Sequence, residues 1–278
     1  MVLNSYSKIN LSLLVNSKRK NGFHDIQSYF CLINLRDRIK IKKINKKKDI
    51  IKFKGAFAKF VNKNDNSIKS LLVLLRKKNL ISSYYSITVE KMTPVYAGLG
   101  GGTSNAFFVM KHLLKNKLNK KELNDIEKKI GTDLKLFFYN QGFLTKLGSI
   151  VDCNIKHKFF FVLIQPSIKC RTREIFSKVK NYSKKTKFIK NKIYKKKEFL
   201  NFLSKSRNDL QLIVEKKYPN LKKILNNLSV QKGCYFSRMT GSGSVCYGLF
   251  PDQNSAKKAI NKLKNKYPKF WISFAKTV

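Results

Sequence analysis

The stretch MTPVYAGLGGGTSNAFFVM, residues 92 to 110, places four of the chain's 13 glycines (Gly98, Gly100, Gly101 and Gly102) within five positions. Glycine gives up more backbone entropy on folding than any other residue, so such a cluster marks a chain that must curl tightly or let something approach its amides. Upstream, YSITVEK alternates, with Tyr85, Ile87 and Val89 on one face and Ser86, Thr88 and Glu90 on the other, as in a strand covered on one side. Downstream, Ala106, Val109, Met110, Leu113 and Leu114 recur at helical spacing, and Thr103 or Ser104 can cap the first turn. Strand, glycine loop, helix is therefore the expected order. A helix N-terminus fed by a glycine loop offers N–H groups and the positive end of a dipole, which together suit a phosphate. No acidic side chain lies between Thr93 and Met110 to occupy that position internally. The loop is not a Walker sequence, because no Gly-Lys-Ser/Thr follows, and it misses the dinucleotide spacing because Thr103 stands where the third glycine would be. A tight turn with close helix packing would also account for the glycines.

The rest of the composition bounds what this loop can serve. With 278 residues, 42% of them apolar, the chain can bury a full core and suggests one or two domains. Its longest purely apolar run, FFFVLI at 159 to 164, is far too short to span a bilayer, and the N-terminus lacks the apolar core of a signal peptide. The expectation is a cytoplasmic protein with no membrane partner. Cys31, Cys153, Cys170, Cys234 and Cys246 form no paired spacing, and none of the three histidines lies near a cysteine, so free thiols and no structural metal are expected. The formal charge of +45 invites a nucleic-acid reading. However, the excess is mostly Lys, spread over nearly every segment, with Asn, Ile and Phe also abundant, so it reads as a general field that draws in polyanions rather than as a specific nucleic-acid site.

Along the chain, VLNSYSKINLSLLV and DIQSYFCLINL read as strands, DRIKIKKI and DIIKFK as shorter ones, and DNSIKSLLVLLRKKN as an amphipathic helix. NKKELNDIEKKIG opens on an Asn-x-x-Glu cap and ends at Gly131, and Thr132 can cap a further helix beginning at Asp133. After a buried strand, FFFVLIQP, comes a Lys-rich stretch of about 25 residues and one helix from about Arg207 to Leu228. CYFSRM, the turn TGSGS, VCYGLF, the helix DQNSAKKAINKLKNKY and WISFAKT complete a strand, helix, two strands, helix, strand order, which is ferredoxin-like.

Several of these stretches, in this order and over nearly the whole chain, resemble the motifs of the GHMP small-molecule kinases. They are KINLSLLV, with Lys8 and Asn10; NGFHDIQSYF; PVYAGLGGGTSNA; IGTDLKLFF; RNDL; and RMTGSGSVCYGLF. The resemblance implies an α+β, two-domain fold, with an N-terminal ATP-binding domain at 1–152 and a C-terminal domain at 153–278. The branch it most resembles acts on a cytidine diphosphate-linked alcohol. The implied activity is ATP-dependent phosphorylation of the 2-hydroxyl of 4-diphosphocytidyl-2-C-methyl-D-erythritol, in the non-mevalonate route to isopentenyl diphosphate. A kinase for another small alcohol, of homoserine or mevalonate type, and a basic RNA-binding module are the alternatives. Asn21-Gly22-Phe23-His24 speaks against the first, which has no cytosine to hold. The second would call for clustered Arg and an exposed aromatic stripe, and neither is evident.

The resemblance also assigns roles. Pro94, Val95, Tyr96, Ala97, Gly98, Leu99, Gly100, Gly101, Gly102, Thr103 and Ser104 would form the ATP loop, with the Ser104 hydroxyl adding a phosphate or magnesium contact. Magnesium would arrive with ATP rather than in a dedicated cage. Asp133 would either orient or deprotonate the accepting hydroxyl, although by itself it reads as an ordinary aspartate at a helix start. Lys8, in an otherwise apolar strand, would neutralise charge developing on the attacking oxygen, unless it is simply the edge of a solvated face. Phe23, His24 and Phe176 would grip the cytosine, with the turn at Asn21-Gly22 projecting the first two. Asn10, Thr240, Gly241 and Ser242 would complete the substrate side, although TGSGS alone is also a sufficient hairpin turn. The family usually has glycines where Tyr96 and Ala97 stand, a tyrosine at Phe23, and a proline at Lys135. A monomer or a homodimer is expected.

Overall fold

The computed structural model describes residues 1–278 except 116, 154–156 and 187–194. In chain order its named elements are β1 Val2–Asn10, β2 Leu14–Lys18, β3 His24–Ile44, β4 Ile50–Lys54, α1 Ser67–Lys77, β5 Tyr84–Glu90, α2 Gly101–Leu114, α3 Lys120–Ile130, β6 Gln141–Lys146, β7 Ser149–Asp152, β8 Phe160–Gln165, α4 Thr172–Ser177, α5 Lys196–Lys205, α6 Asp209–Lys217, α7 Asn220–Ser229, β9 Phe236–Met239, β10 Cys246–Phe250, α8 Gln253–Lys266 and β11 Trp271–Lys276. Short 3-10 helices occupy Ala58–Phe60 and Leu134–Phe138. With its strands in two sheets and helices interspersed along the chain, the architecture is α+β, as expected.

The chain divides into two compact units. The first comprises Met1–Ser7, Leu35–Val95 and Gly100–Phe138; the second comprises Lys8–Asn34, Tyr96–Leu99 and Tyr139–Val278. In the first, the C-terminal half of β3 pairs antiparallel with β5, from Arg38 opposite Glu90 to Ile44 opposite Tyr84, and β4 runs parallel to β5. Ile39, Ile87 and Val89 are fully buried on one face of this sheet. The spacing of Ile68, Leu71, Leu72 and Leu75 gives α1 one apolar stripe, which is buried; α1 packs on α2 and α3. The helix expected from NKKELNDIEKKIG is present as α3. Its cap is reciprocal: the Asn119 side chain accepts from the Glu122 N–H, and the Glu122 carboxylate accepts from the Asn119 N–H, each at 2.9 Å.

In the second unit, the N-terminal half of β3 pairs antiparallel with β2 and with β6, and β6 pairs with β7. A separate sheet has the order β11-β8-β10-β9, with every neighbouring pair antiparallel. Together with its helices, this is the ferredoxin-like arrangement expected from the strand and helix order. Phe161, Val162, Leu163 and Ile164 of β8 are all at zero exposure, which explains why the run shows no alternation: both faces of this strand are covered. Burying each such side chain contributes about 1.5–3 kcal/mol. Helices α7 and α8 pack on this sheet, through Leu221, Ile224, Leu225 and Leu228 and through Ala256, Ala259, Ile260 and Leu263.

Four expectations need correction. VLNSYSKINLSLLV is two strands rather than one, because Leu11–Leu13 leave the line of β1: the Leu11 N–H donates to the Tyr29 carbonyl, and Leu13 pairs with the segment at Arg207–Asp209. The two strands expected over 25–44 are a single 21-residue strand. The polar interruption at Arg36-Asp37-Arg38 does not end it, because Asp37 is wholly buried and paired. The helix expected from Arg207 to Leu228 is split at Tyr218-Pro219, where proline removes a donor and restricts the residue before it. The Lys-rich stretch after β8 also contains α4 and α5. Most of its densest part, 184–197, lies outside the described residues, as does part of the expected domain boundary near 149–158.

The Asn119 cap holds the N-terminal end of α3, whose other end passes through Gly131 to the segment that carries Asp133. Replacing Asn119 with Ala should lower unfolding free energy by about 1 kcal/mol, read as a lower urea midpoint with an unchanged slope.

Candidate active site

Each glycine of the loop answers to a different neighbour. Gly100 is the N-cap of α2 and lies in the left-handed region, at φ 68°. A side chain on Gly101 would come within 3.0 Å of both the Lys91 Nζ and the Thr93 methyl, and one on Gly102 within 3.2 Å of the Ser67 Oγ. Gly100 offers α2 no side-chain cap, and no acidic residue stands in the first turn of this 14-residue helix to offset the positive end of its dipole. The expected cap by Thr103 or Ser104 is not made. Ser104 is fully buried, its hydroxyl donating to the Tyr6 carbonyl at 2.5 Å and lying 2.7 Å from the Ser5 hydroxyl. Those partners draw it into the first unit, away from the phosphate or magnesium contact expected of it. Pro94 is buried, and Val95, Gly101 and Thr103 are half-buried.

The entry to the loop rests on a group that sequence reasoning missed. The Asp37 carboxylate, at zero exposure, accepts from the Met92 and Thr93 N–H groups at 2.8 and 2.7 Å through one oxygen, and from the Lys91 ammonium at 2.5 Å through the other. Thr93 is held in addition by the Ser7 hydroxyl at 2.9 Å. Burial pulls the Lys91 pKa below its ordinary value, and the Asp37 carboxylate opposes that shift. Asp133 is half-buried and precedes the Leu134–Phe138 turn, its carbonyl accepting from the Leu136 N–H at 3.1 Å. Lys135, where the family has proline, points back to α3, with its ammonium 2.9 Å from Glu127 and 2.6 Å from the Asn124 side chain.

In the second unit the two glycine turns meet main chain to main chain. A Cβ on Gly98 would lie 2.1 Å from the Thr240 carbonyl oxygen, and one on Gly241 would lie 2.9 Å from that of Gly98. The Ser244 and Val245 N–H groups donate to the Tyr96 and Ala97 carbonyls, each at 3.2 Å. Lys8 and Asn10 join this cluster. The Lys8 ammonium donates to the Gly98 carbonyl at 3.0 Å and to the Asn10 side chain, the Lys8 N–H to Leu99 at 3.0 Å, and the Asn10 N–H to the Thr240 hydroxyl at 3.0 Å. The structure thus brings Lys8, Asn10, Gly98, Thr240 and Gly241 together. Lys8 is buried, so it is not the edge of a solvated face. Asn208, of the Arg-Asn-Asp-Leu motif, supports the second turn by donating to the Met239 and Gly241 carbonyls at 2.8 Å. Ser242 lies against the Thr172 hydroxyl at 3.0 Å. Tyr96 takes φ 56°, the left-handed conformation for which the family's usual glycine is suited.

The aromatic group is only partly as expected. The turn projects Phe23, which is 43% exposed, but not His24, which opens β3 and is 8% exposed. The His24 ring lies 5.2 Å from that of Phe176 and 6.3 Å from that of Tyr182, a residue not picked out from sequence. At that separation His24 and Phe176 already touch, since aromatic pairs sit about 4.5–7 Å apart. A base can therefore stack on an outer face of this group but not between those two rings. Burial and the nearby Lys18 push the His24 pKa below its ordinary value, which favours the neutral ring, with one donor and one acceptor nitrogen.

The contacts at Gly98 yield a direct comparison. Gly22→Ala, at φ 82° with open space around the added methyl, should cost about 1–2 kcal/mol from backbone strain alone. Gly98→Ala should cost clearly more and abolish activity, because main chain must move. Equal thermal melts for the two variants would contradict the close approach.

Known proteins resemble this chain in sequence and in fold. Residues 188–269 match the family model described as GHMP kinases C terminal. A 4-diphosphocytidyl-2-C-methyl-D-erythritol kinase of Pelagibacter ubique (strain HTCC1062) is 35% identical over 99% of this chain and 98% of its own. One of Wolbachia pipientis wMel is 32% identical over 96% and 94%. A crystal structure of 4-(cytidine 5'-diphospho)-2C-methyl-D-erythritol kinase superposes with a TM-score of 0.74 at 20% identity, covering 99% of both chains, and so shares the fold. With more than 30% identity extending along essentially its whole length, the chain belongs to the 4-diphosphocytidyl-2-C-methyl-D-erythritol kinases, a family of GHMP kinases.

Proposed function

We propose that the chain transfers the γ-phosphoryl group of ATP to the 2-hydroxyl of 4-diphosphocytidyl-2-C-methyl-D-erythritol, a step of the non-mevalonate route to isopentenyl diphosphate. The observation that carries this is end-to-end similarity to kinases of that name. The uncapped, acid-free first turn of α2 supports it independently, as a place for a triphosphate. Residues 1–152 form the ATP-binding domain and 153–278 the C-terminal domain in this reading. The enzyme works in the cytoplasm, as a monomer or homodimer, with no specific nucleic-acid partner. Among the described residues no helix is long and apolar enough to cross a membrane.

Phosphoryl transfer asks little covalent chemistry of a protein; positioning and charge neutralisation carry most of the catalysis. Residues 94–104 hold the triphosphate on main-chain amides. When bound with ATP, magnesium would supply charge neutralisation at the phosphate oxygens. Asp133 aligns the accepting hydroxyl and takes up its proton. Lys8, already fixed by Gly98 and Asn10, places a cation where charge develops on the attacking oxygen. Asn10 and the Thr240, Gly241 and Ser242 turn hold the substrate side. His24 reads the cytosine edge, and Phe176 and the exposed Phe23 offer stacking faces. Binding energy collected at the base, away from the reacting hydroxyl, is then used to align it.

With the cytidyl substrate and ATP, Asp133→Asn should lower kcat by about 10² or more while ATP affinity stays within a few-fold. Lys8→Met should likewise act mainly on kcat. Near-normal turnover by the Asp133 variant would remove it from the mechanism. His24→Ala should cost about 1–3 kcal/mol in kcat/KM for the cytidyl substrate and blunt discrimination against the uridyl analogue. Discrimination as sharp as in the wild type would refute the base-edge role.

A further inference from the structure

We propose that Asp37 and Lys91 act as one positioning unit for ATP: the buried pair fixes the entry to the glycine loop and the height of the first turn of α2, and thereby sets nucleotide affinity. The inference rests on the kinase reading but concerns two residues outside the motifs that led to it.

Four observations within the first unit carry it. The Asp37 carboxylate gathers three consecutive residues at the end of β5, taking the Met92 and Thr93 amides on one oxygen and the Lys91 ammonium on the other. The main chain of Lys91 is also held on both sides, its N–H donating to the Lys54 carbonyl at 2.6 Å and its carbonyl accepting from Phe57 at 3.1 Å. The carbonyl oxygen and nitrogen of Lys91 lie 3.0 and 3.1 Å from where a side chain on Gly55 would begin, so this edge has no slack. Finally, the ammonium lies 3.0 Å from where a side chain on Gly101 would begin, in the first turn of α2, to which Gly100 gives no side-chain cap. A rigidly held cation therefore abuts the glycine from which α2 starts. Displacing it shifts that turn and the amides it presents.

Asp37→Asn keeps the shape and leaves an oxygen for the two amides, but sets an NH₂ group against the ammonium. Lys91→Met keeps length and apolar bulk and leaves the carboxylate its amides. Both touch the loop only through its base, so they are positioning variants and should separate nucleotide binding from chemistry. We would measure equilibrium binding of a non-hydrolysable ATP analogue, KM for ATP, KM for the cytidyl alcohol and kcat for the wild type, both variants and the double variant. The expected result is about tenfold or greater weakening of analogue binding and a matching rise in KM for ATP, with alcohol KM and saturating kcat within about threefold. Because the pair acts as a unit, the double variant should be no worse than the worse single variant. If Asp37→Asn does not fold, Lys91→Met carries the same comparison. Folded variants with wild-type affinity for the analogue, or with losses confined to kcat, overturn the inference while leaving the kinase reading intact. A wild-type chain that fails to bind the analogue overturns both.

Discussion

The cluster around Lys8 in the second unit depends on the approach of two main-chain segments with nothing between them. Gly98 and Gly241 lie so close that a single methyl on either would meet carbonyl oxygen of the other turn. Only residues without Cβ allow this, and the approach makes the Gly98 carbonyl available to the Lys8 ammonium and puts the Thr240 hydroxyl within reach of the Asn10 N–H. Asn208 holds the second turn from behind, and the Tyr247 hydroxyl donates to the Asn10 and Leu11 carbonyls at 3.2 and 3.3 Å. A buried lysine is costly unless its donors find acceptors. Here a backbone carbonyl and an amide oxygen accept from it, which keeps the ammonium in one place.

β1 shows how one strand serves two tasks through its period of two. Ser5 and Ser7 lie on one face and hold the first turn of α2 and Thr93 through hydroxyls. Lys8 and Asn10 belong to the alternate set and join the glycine turns. SYSKIN therefore reads as a strand in which nearly every polar residue has an assigned contact.

Much of this was legible from residue order. The strand, glycine loop and helix, the capped α3 and the ferredoxin-like C-terminal sheet follow from periodicity and turn chemistry. What sequence reading missed has a common physical cause: polar residues whose burial depends on distant partners. Asp37 looked like the start of a new strand because nothing local shows that Lys91, 54 residues on, will pair with it. Lys91 was one cation among 60 basic residues. Ser104 looked free to cap or to meet a phosphate, yet the Tyr6 carbonyl and Ser5 hydroxyl claim it. Tyr182 gave no signal, being a lone aromatic in a lysine-rich segment. The break at Pro219 was readable, but the apolar spacing on either side of it masked the interruption.

The +45 charge does not by itself favour a nucleic-acid role, and the residues gathered around Lys8 and the glycine turns fit a small-molecule kinase. In the proposed function a cytidyl-linked alcohol is the acceptor. The most direct test is a phosphoryl-transfer assay of the purified chain with ATP against 4-diphosphocytidyl-2-C-methyl-D-erythritol, methylerythritol, homoserine and mevalonate, with the phosphorylated carbon located by phosphorus NMR. Turnover of the cytidyl compound at its 2-hydroxyl is expected, with little turnover of the others. Preferred phosphorylation of homoserine, mevalonate or free methylerythritol would contradict it.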